Sequence, residues 1–194
     1  MSGEFDFEHD AEYPALRERC MGTNVNEQTL LATDYLNHFN ELVMILEMLA
    51  DMPELLDEAK AWEPKDYKDH FRDSTIADRE LAVEAYDHAP PKFKDPFDEN
   101  VAKTNRLILT AVERLEHDIQ LGDMDLVRSN ARALSQMIQR LMDMCGANIH
   151  GSESTMAQSE IDDILSSACA PTTDTPSGPG ESGSSQADID ALFD

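Results

Sequence analysis

The fold of this chain is decided by two stretches with helical periodicity, VAKTNRLILTAVERLEHDIQL (residues 101–121) and MDLVRSNARALSQMIQRLMDMCGA (residues 124–147). Apolar side chains recur at the spacing of one helical face. In the first stretch they are Val101, Ile108, Val112, Leu115 and Ile119, and in the second Val127, Ala131, Leu134, Ile138, Leu141 and Cys145. Between them, Gly122-Asp123 supplies a helix stop and a new N-cap. A connection this short predicts that the two helices lie antiparallel.

The preceding hundred residues show the same helical signal in shorter pieces. Residues 27–49 repeat apolar side chains in steps of three and four, which predicts a helix that ends before Pro53. A short helix is expected from Pro53 to Trp62, and another from about Thr75 to Asp87, capped by Asp73-Ser74. The first long helix is expected to begin near Pro96. With no alternating strand pattern, residues 25–150 are predicted to form an all-α, antiparallel helical bundle.

The charge of the chain excludes several classes of protein. It has 194 residues, with 40 acidic against 15 basic side chains, for a net charge of −25. Binding to nucleic acid or to an anionic membrane needs clustered Lys and Arg, so neither partner is expected. The apolar stretch 42–50 is too short for a membrane span, and the acidic N-terminal residues lack the apolar core of a secretory signal. We therefore expect a cytoplasmic protein without membrane insertion.

The acidic excess is spread unevenly and divides the chain into three parts. Residues 1–24 carry six acids and two bases and are expected to form a flexible N-terminal segment. Residues 151–194 carry nine acids and no base, and are rich in Ser, Gly, Pro and Thr. Such a composition cannot bury enough apolar surface to offset the entropy of ordering. We predict a disordered acidic C-terminal tail, for which a purely solubilising role is the alternative.

A nine-residue repeat within 151–194 is the most specific feature of the sequence. AQSEIDDIL (157–165) and SQADIDALF (185–193) match at an offset of 28 residues. In each copy three apolar side chains fall at i, i+3 and i+4, behind acids that favour a helix N-terminus. Nine residues do not hold a helix alone, so each copy is predicted to fold on docking into an apolar groove with a basic rim. For the first copy, folding back on the bundle is the alternative.

The second copy, SQADIDALFD (185–194), resembles a docking element of bacterial chemotaxis and flagellar proteins. This element begins the flagellar switch protein FliM, and a related one ends the chemotaxis phosphatase CheZ. In both families it binds the response regulator CheY, a receiver domain. The order of helical body, linker and C-terminal peptide also looks like that of the CheZ family.

The resemblance covers about ten residues per copy and implies a receiver-domain partner. Carried over by position, the docking residues are Gln186, Asp188, Ile189, Asp190, Leu192 and Phe193. The first copy supplies a second, weaker set: Gln158, Glu160, Ile161, Asp162, Ile164 and Leu165.

The resemblance also raises the question of catalysis. CheZ-type phosphatases use Asp-x-x-x-Gln on a helix, a spacing that the long helices here lack. The nearest pair is Glu116 and Gln120, and a second pair, Asp34 and Asn37, resembles the acid-x-x-Asn pattern of the CheC and CheX phosphatases. Either spacing puts an acid and an amide on one helical face. A solvated helix face is the alternative for both pairs.

Metal and cofactor chemistry is not expected. Asp34, His38 and Glu41 share a predicted helical face, but a di-iron bundle needs Glu-x-x-His on two helices, and that pairing is missing. We predict a structural role for His38. The three cysteines are too widely spaced for a disulfide framework or a CxxC site. Methionines at helical spacing are expected to line the core or a groove: Met44, Met48, Met137, Met142 and Met144.

These observations predict a chemotaxis or flagellar-motility signalling protein that binds a receiver domain through its C-terminal peptides. The alternatives are a CheZ-like phosphatase of phosphorylated receivers and a structural component of the flagellar switch. An enzyme is the less favoured reading. A homodimer is compatible with each of the three.

Overall fold

The computed structural model describes residues 11–152, and within that range the chain is all-helical. Two 3-10 turns, Thr33–Leu36 and Pro53–Leu55, and one isolated bridge between Val25 and Ala32 accompany the helices. The α-helices are α1 Tyr13–Cys20, α2 Asn37–Met48, α3 Leu56–Ala61, α4 Tyr67–Asp73, α5 Arg79–Asp87, α6 Pro91–Leu121 and α7 Met124–Ile149. No helix among residues 11–152 is both long and apolar enough to cross a membrane.

The turn between α6 and α7 forms as its sequence predicts. Gly122 adopts the left-handed conformation at φ 78°, which is favourable without a Cβ atom. Asp123 then caps α7, because its carboxylate accepts hydrogen bonds from the backbone N–H groups of Asp125 (3.1 Å) and Leu126 (3.0 Å). The start of α6 lies earlier than predicted, at Pro91 rather than near Pro96, because Pro is well suited to the first position of a helix.

Side-chain hydrogen bonds join α6 to α7 at two levels. Asn100, early in α6, donates its amide to Asn148, late in α7, at 3.0 Å. Asp118, late in α6, accepts from the amide of Asn130, early in α7, at 2.7 Å. At the same end of α7 as Asn148, the hydroxyl of Thr29 donates to the Ile149 carbonyl at 2.6 Å. This bond joins the loop before α2 to α7.

The core follows the apolar faces of α2, α6 and α7. All six α7 positions predicted to share a face are buried, as are Ile108, Val112 and Leu115 of α6. Val101 and Ile119 pack against the core while partly exposed. Full burial of one such Leu or Ile side chain contributes about 1.5–3 kcal/mol, so these faces supply much of the stability.

The predicted helix over residues 27–49 is wrong for residues 27–36, which precede α2. Asn26 instead closes a turn, with its side-chain oxygen accepting from the N–H groups of Gln28 (2.8 Å) and Thr29 (3.0 Å). Local side-chain bonds of this kind compete with a helix for the backbone. The next residue, Leu30, has φ +59°, and the regular helix begins only at Asn37. Leu31 is nevertheless buried at the end of the loop.

The expectation of a flexible segment over residues 1–24 is corrected by α1. Leu16 and Cys20 of this helix are buried against the core. Tyr13 donates to the Gln28 carbonyl at 2.7 Å, and Arg19 makes a two-point contact with Glu84 of α5 at 2.6 and 2.7 Å. Two well-placed apolar side chains and these polar ties hold a segment whose composition alone indicates little order. Residues 1–10 lie outside the described range.

The cap predicted at Asp73-Ser74 ends a helix instead of starting one. Ser74 follows α4, and its hydroxyl donates to the Phe71 carbonyl at 2.8 Å. Asp66 is the N-cap of α4, accepting from the Lys68 N–H at 2.9 Å. The helix predicted from Thr75 begins only at Arg79.

Candidate functional site

The two repeat copies, residues 157–165 and 185–193, lie outside the described range, and so do all twelve docking residues predicted on them. The described residues contain both predicted acid–amide pairs, five of the six histidines and several surface grooves.

In the Glu116–Gln120 pair, the acid is engaged by a base from another helix. The Glu116 carboxylate lies 2.5 Å from the ammonium group of Lys60, where it joins α6 to α3. This hydrogen bond raises the pKa of Lys60. Gln120 is exposed one turn further on, next to the last residue of α6. The contact with Lys60 gives Glu116 a structural partner, so a catalytic role would require breaking that ion pair.

The Asp34–Asn37 pair stands on a 3-10 turn rather than on one α-helix. The Asn37 N–H donates to the Asp34 carbonyl as the turn passes into α2. A 3-10 helix has about three residues per turn, so the two side chains still project from the same side. Asn37 is exposed and Asp34 is half-buried. This pair is therefore the more accessible of the two.

Asn37 borders a shallow groove of about 210 Å³ whose other walls come from α2, α4 and the loop before α4. The lining side chains are Asn37, His38, Glu41, Lys65, His70, Asp73 and Ser74. Lys65 and Asp73 form an ion pair across it at 2.9 Å. Asp34 is not part of the lining, and so the acid and the amide do not face one cavity.

The two histidines of this groove are packed into an aromatic cluster. His38 stacks on Trp62 with ring centroids 4.7 Å apart, and Trp62 donates to the His38 carbonyl at 3.2 Å. His70 meets Tyr35 edge-on at 5.4 Å. Burial lowers the pKa of both imidazoles, and for His38 the neighbouring His70 lowers it further. Neutral, stacked rings of this kind fit the structural role predicted for His38.

In the trio Asp34, His38 and Glu41, which is not expected from the sequence to bind a metal, Asp34 and His38 have other partners. The Asp34 backbone accepts a hydrogen bond from His70, whereas the His38 ring is hydrogen-bonded to the Glu63 backbone. No group of three ligating side chains within residues 11–152 is arranged to hold a metal ion.

A second groove, of about 330 Å³, was not indicated by the sequence patterns. Tyr86 donates to the Asp98 carboxylate at 2.7 Å on its wall, and the buried side-chain oxygen of Asn105 has no hydrogen-bond partner. Burial is the main cause that raises the pKa of Asp98. Asp98, Val101 and Asn105 recur at i, i+3 and i+7 of α6, a helical spacing from which the face could have been found. The groove can accept a small hydrogen-bonding group.

A further acid–amide pair, which no sequence motif indicated, joins buried Asp118 to partly exposed Asn130. Asp118 is 1% exposed, and its position after Ala111 and Leu115 places it in the apolar register of α6. The pair could have been found in the sequence from this position, because a carboxylate on an apolar helix face is costly to bury without a hydrogen-bond partner. Because the Asp118 carboxylate is buried and bonded to Asn130 of α7, the pair contributes to the alignment of α6 and α7.

The methionine prediction holds for α7 and fails for α2. Met142 and Met144 are buried, and Met137 lines a groove on the outside of α7. Met44 and Met48 are instead 62% and 40% exposed.

Comparison of the chain with protein-family models, with curated proteins and with solved structures finds no match.

Proposed function

We propose that this protein is a chemotaxis or flagellar-motility signalling component that binds a CheY-like receiver domain through its C-terminal repeat. The observation that carries the proposal is the second copy, with Ile189, Leu192 and Phe193 at helical spacing among acids. In this proposal the rest of the chain is an antiparallel helical bundle that acts as a scaffold in the cytoplasm.

The distance between the two copies supports capture of a receiver domain and its retention near the bundle. Residues 166–184 separate the two copies. Treated as a flexible coil, these 19 residues span roughly 25 Å r.m.s.. A receiver held by the second copy would stay close to the bundle at a raised effective concentration. This arrangement serves sequestration of a receiver without any chemical step.

The acid–amide geometry favours binding over catalysis. Glu116 is engaged by Lys60, and Asp34 and Asn37 do not face one cavity. A CheZ-like phosphatase is the second candidate, and it would depend on Asp34 and Asn37 because their amide is exposed.

Removal of residues 185–194 tests the binding proposal. We expect the full chain to bind a purified CheY-like receiver in a calorimetric titration and the shortened chain to lose that binding. Equal affinity of the two chains would reject the proposal. The helical circular dichroism signal per molecule should be the same for both chains, which shows that the deletion does not unfold the bundle.

Phosphate release from a phosphorylated receiver separates the two candidates. Binding without faster release supports capture alone. Faster release that Asn37→Ala abolishes supports the phosphatase. Co-purification with flagellar switch proteins, in the absence of receiver affinity, would instead support a structural component of the switch.

A further inference from the structure

The outer surface of α7 differs from the rest of this acidic protein. Residues 126–142 contain three arginines and no acidic residue. Arg132, Gln136 and Arg140 recur every four residues and are exposed, and Ala133 and Met137 run alongside them. We call these five residues the α7 outer surface. They form a strip with basic groups at both ends and apolar atoms between them.

The arginines of this strip have no acidic partner in the described part of the chain. Arg128, one turn before the strip, pairs with Asp51 at 2.9 Å and with Asp125 at 3.0 Å. Arg132 and Arg140 form no ion pair with any residue in 11–152. A shallow groove of about 450 Å³ runs along the strip from Ala133 to Asp143. Within residues 11–152, Arg132 and Arg140 are therefore exposed without an ion-pair partner, and Asp143 is the one acidic side chain that lines the groove.

The chain that follows α7 begins close to this strip. The Ser152 N–H donates to the Ala147 carbonyl at 2.9 Å and the Gly151 N–H donates to the Asn148 carbonyl at 3.1 Å. With Gly151 at φ +74°, this is a Schellman motif, which ends the helix and turns the chain. Extended chain from Ser152 to residue 157 reaches about 17 Å. The helix surface from Ile149 back to Arg140 is about 14 Å long, which is within that reach.

The first repeat copy matches the strip in length and in charge. Nine residues in a helix span about 13 Å, and Arg132 and Arg140 stand about 12 Å apart along α7. The copy carries Glu160, Asp162 and Asp163 and no base. Its apolar anchors, Ile161, Ile164 and Leu165, suit the apolar side chains between the arginines. The second copy begins 28 residues further on, so closing its loop costs more entropy.

We propose that the first repeat copy, residues 157–165, docks on the α7 outer surface of its own chain. The two copies then have different roles, since the first is held by the bundle and the second is free for an external partner. This inference does not depend on receiver binding, because both its occupant and its surface belong to this chain.

Paramagnetic relaxation in the full chain tests the docking. Cys20 and Cys145 are buried, which directs a nitroxide label to Cys169, four residues beyond the first copy. We expect the backbone amide signals of residues 132–140 to lose most of their intensity when the label is paramagnetic. The loss should disappear in Arg140→Glu and in Ile164→Ala/Leu165→Ala.

Arg106→Glu is the matched control, because Arg106 is an exposed arginine on α6 and its reversal changes the net charge equally. It should leave the loss at residues 132–140 intact. Undisturbed amide signals elsewhere show that each variant is folded. Signal loss spread evenly over the bundle, or absent from α7, would overturn the proposal. Loss seen on unlabelled chains mixed with labelled ones would assign the strip to a second copy of the chain and overturn it as well.

Discussion

The helical body and the repeat-bearing segment differ in the bases that are available to their acidic residues. In the body, acids meet bases of other elements, as Glu84 meets Arg19, Glu116 meets Lys60 and Asp51 meets Arg128. Residues 151–194 contain nine acids and no base, so every cation that their acids meet must come from another segment or another molecule. These three ion pairs join separate elements of the body, whereas we propose that the acids beside the repeat serve recognition.

The same contrast separates the apolar residues of the two regions. Ile138 and Leu141 of α7 are fully buried within the body. Ile189 and Phe193 belong to a nine-residue unit that is too short to hide its own apolar face. If this division is correct, substitutions in one region change stability and those in the other change binding.

The largest expected effect on stability comes from the α7 core. Ile138→Ala should lower the free energy of unfolding by about 2–5 kcal/mol, since it removes buried methyl groups and leaves a cavity. Ile189→Ala should change the free energy by less than about 0.5 kcal/mol. Urea unfolding followed by circular dichroism measures both. Equal destabilisation by the two substitutions would show that the second copy is part of the core.

The part-buried Asp118–Asn130 hydrogen bond should give a smaller loss of unfolding free energy when it is removed. Asn130→Ala leaves the Asp118 carboxylate without its 2.7 Å hydrogen bond, which we expect to cost about 1–3 kcal/mol in the same unfolding experiment. Lys60→Ala breaks only a partly exposed ion pair and should cost less than about 1 kcal/mol. A reversed order would contradict the assignment of helix alignment to the Asp118–Asn130 pair.

Salt should distinguish the two uses of acidity. Raising the salt concentration from about 0.1 M to 1 M shortens the Debye length from about 10 Å to about 3 Å and screens exposed acids. We expect receiver affinity to fall across this range. The loss of unfolding free energy caused by Ile138→Ala should stay the same, because it arises from apolar contacts. Salt-independent receiver affinity would mean that the acids of the repeat contribute nothing to docking.

The smallest effect concerns pH. The pKa values of His38 and His70 are lowered in the folded protein, so the unfolded chain binds protons more readily. Stability is fully present above the unfolded pKa of about 6.5 and falls as pH drops toward the folded values. His38→Gln/His70→Gln should reduce this fall relative to the parent chain when urea unfolding is compared at neutral and mildly acidic pH. An unchanged pH dependence would remove the histidines as its cause.

The long helices could be predicted from the sequence because their signals are local and repeated. Every predicted face residue of α7 is buried, and the turn at Gly122-Asp123 forms as expected. The loop before α2 could not be predicted by periodicity, because Leu31 and Tyr35 are buried there without belonging to the helix. Nor does composition reveal α1, which depends on contacts with distant residues such as Glu84.

The candidate site could also be predicted only in part from the sequence. The spacing of Asp34 and Asn37 predicts one shared face, but whether they share a cavity depends on how α2 and α4 pack, and only Asn37 lines the groove. The engagement of Glu116 by Lys60 is a contact between residues 56 positions apart, which no local motif encodes. The repeat, in contrast, is recognised from the sequence alone, because it lies outside the described residues.

Titration of a CheY-like receiver with the full chain and with Ile189→Ala/Phe193→Ala tests the central claim most directly. Burial of either side chain is worth about 1.5–3 kcal/mol, so the double substitution should weaken binding at least about tenfold. Ser182→Ala/Ser184→Ala, a matched double change just outside the repeat, should leave the affinity unchanged. Equal affinity of the parent chain and the Ile189/Phe193 variant, or no binding by the parent chain, would contradict the account.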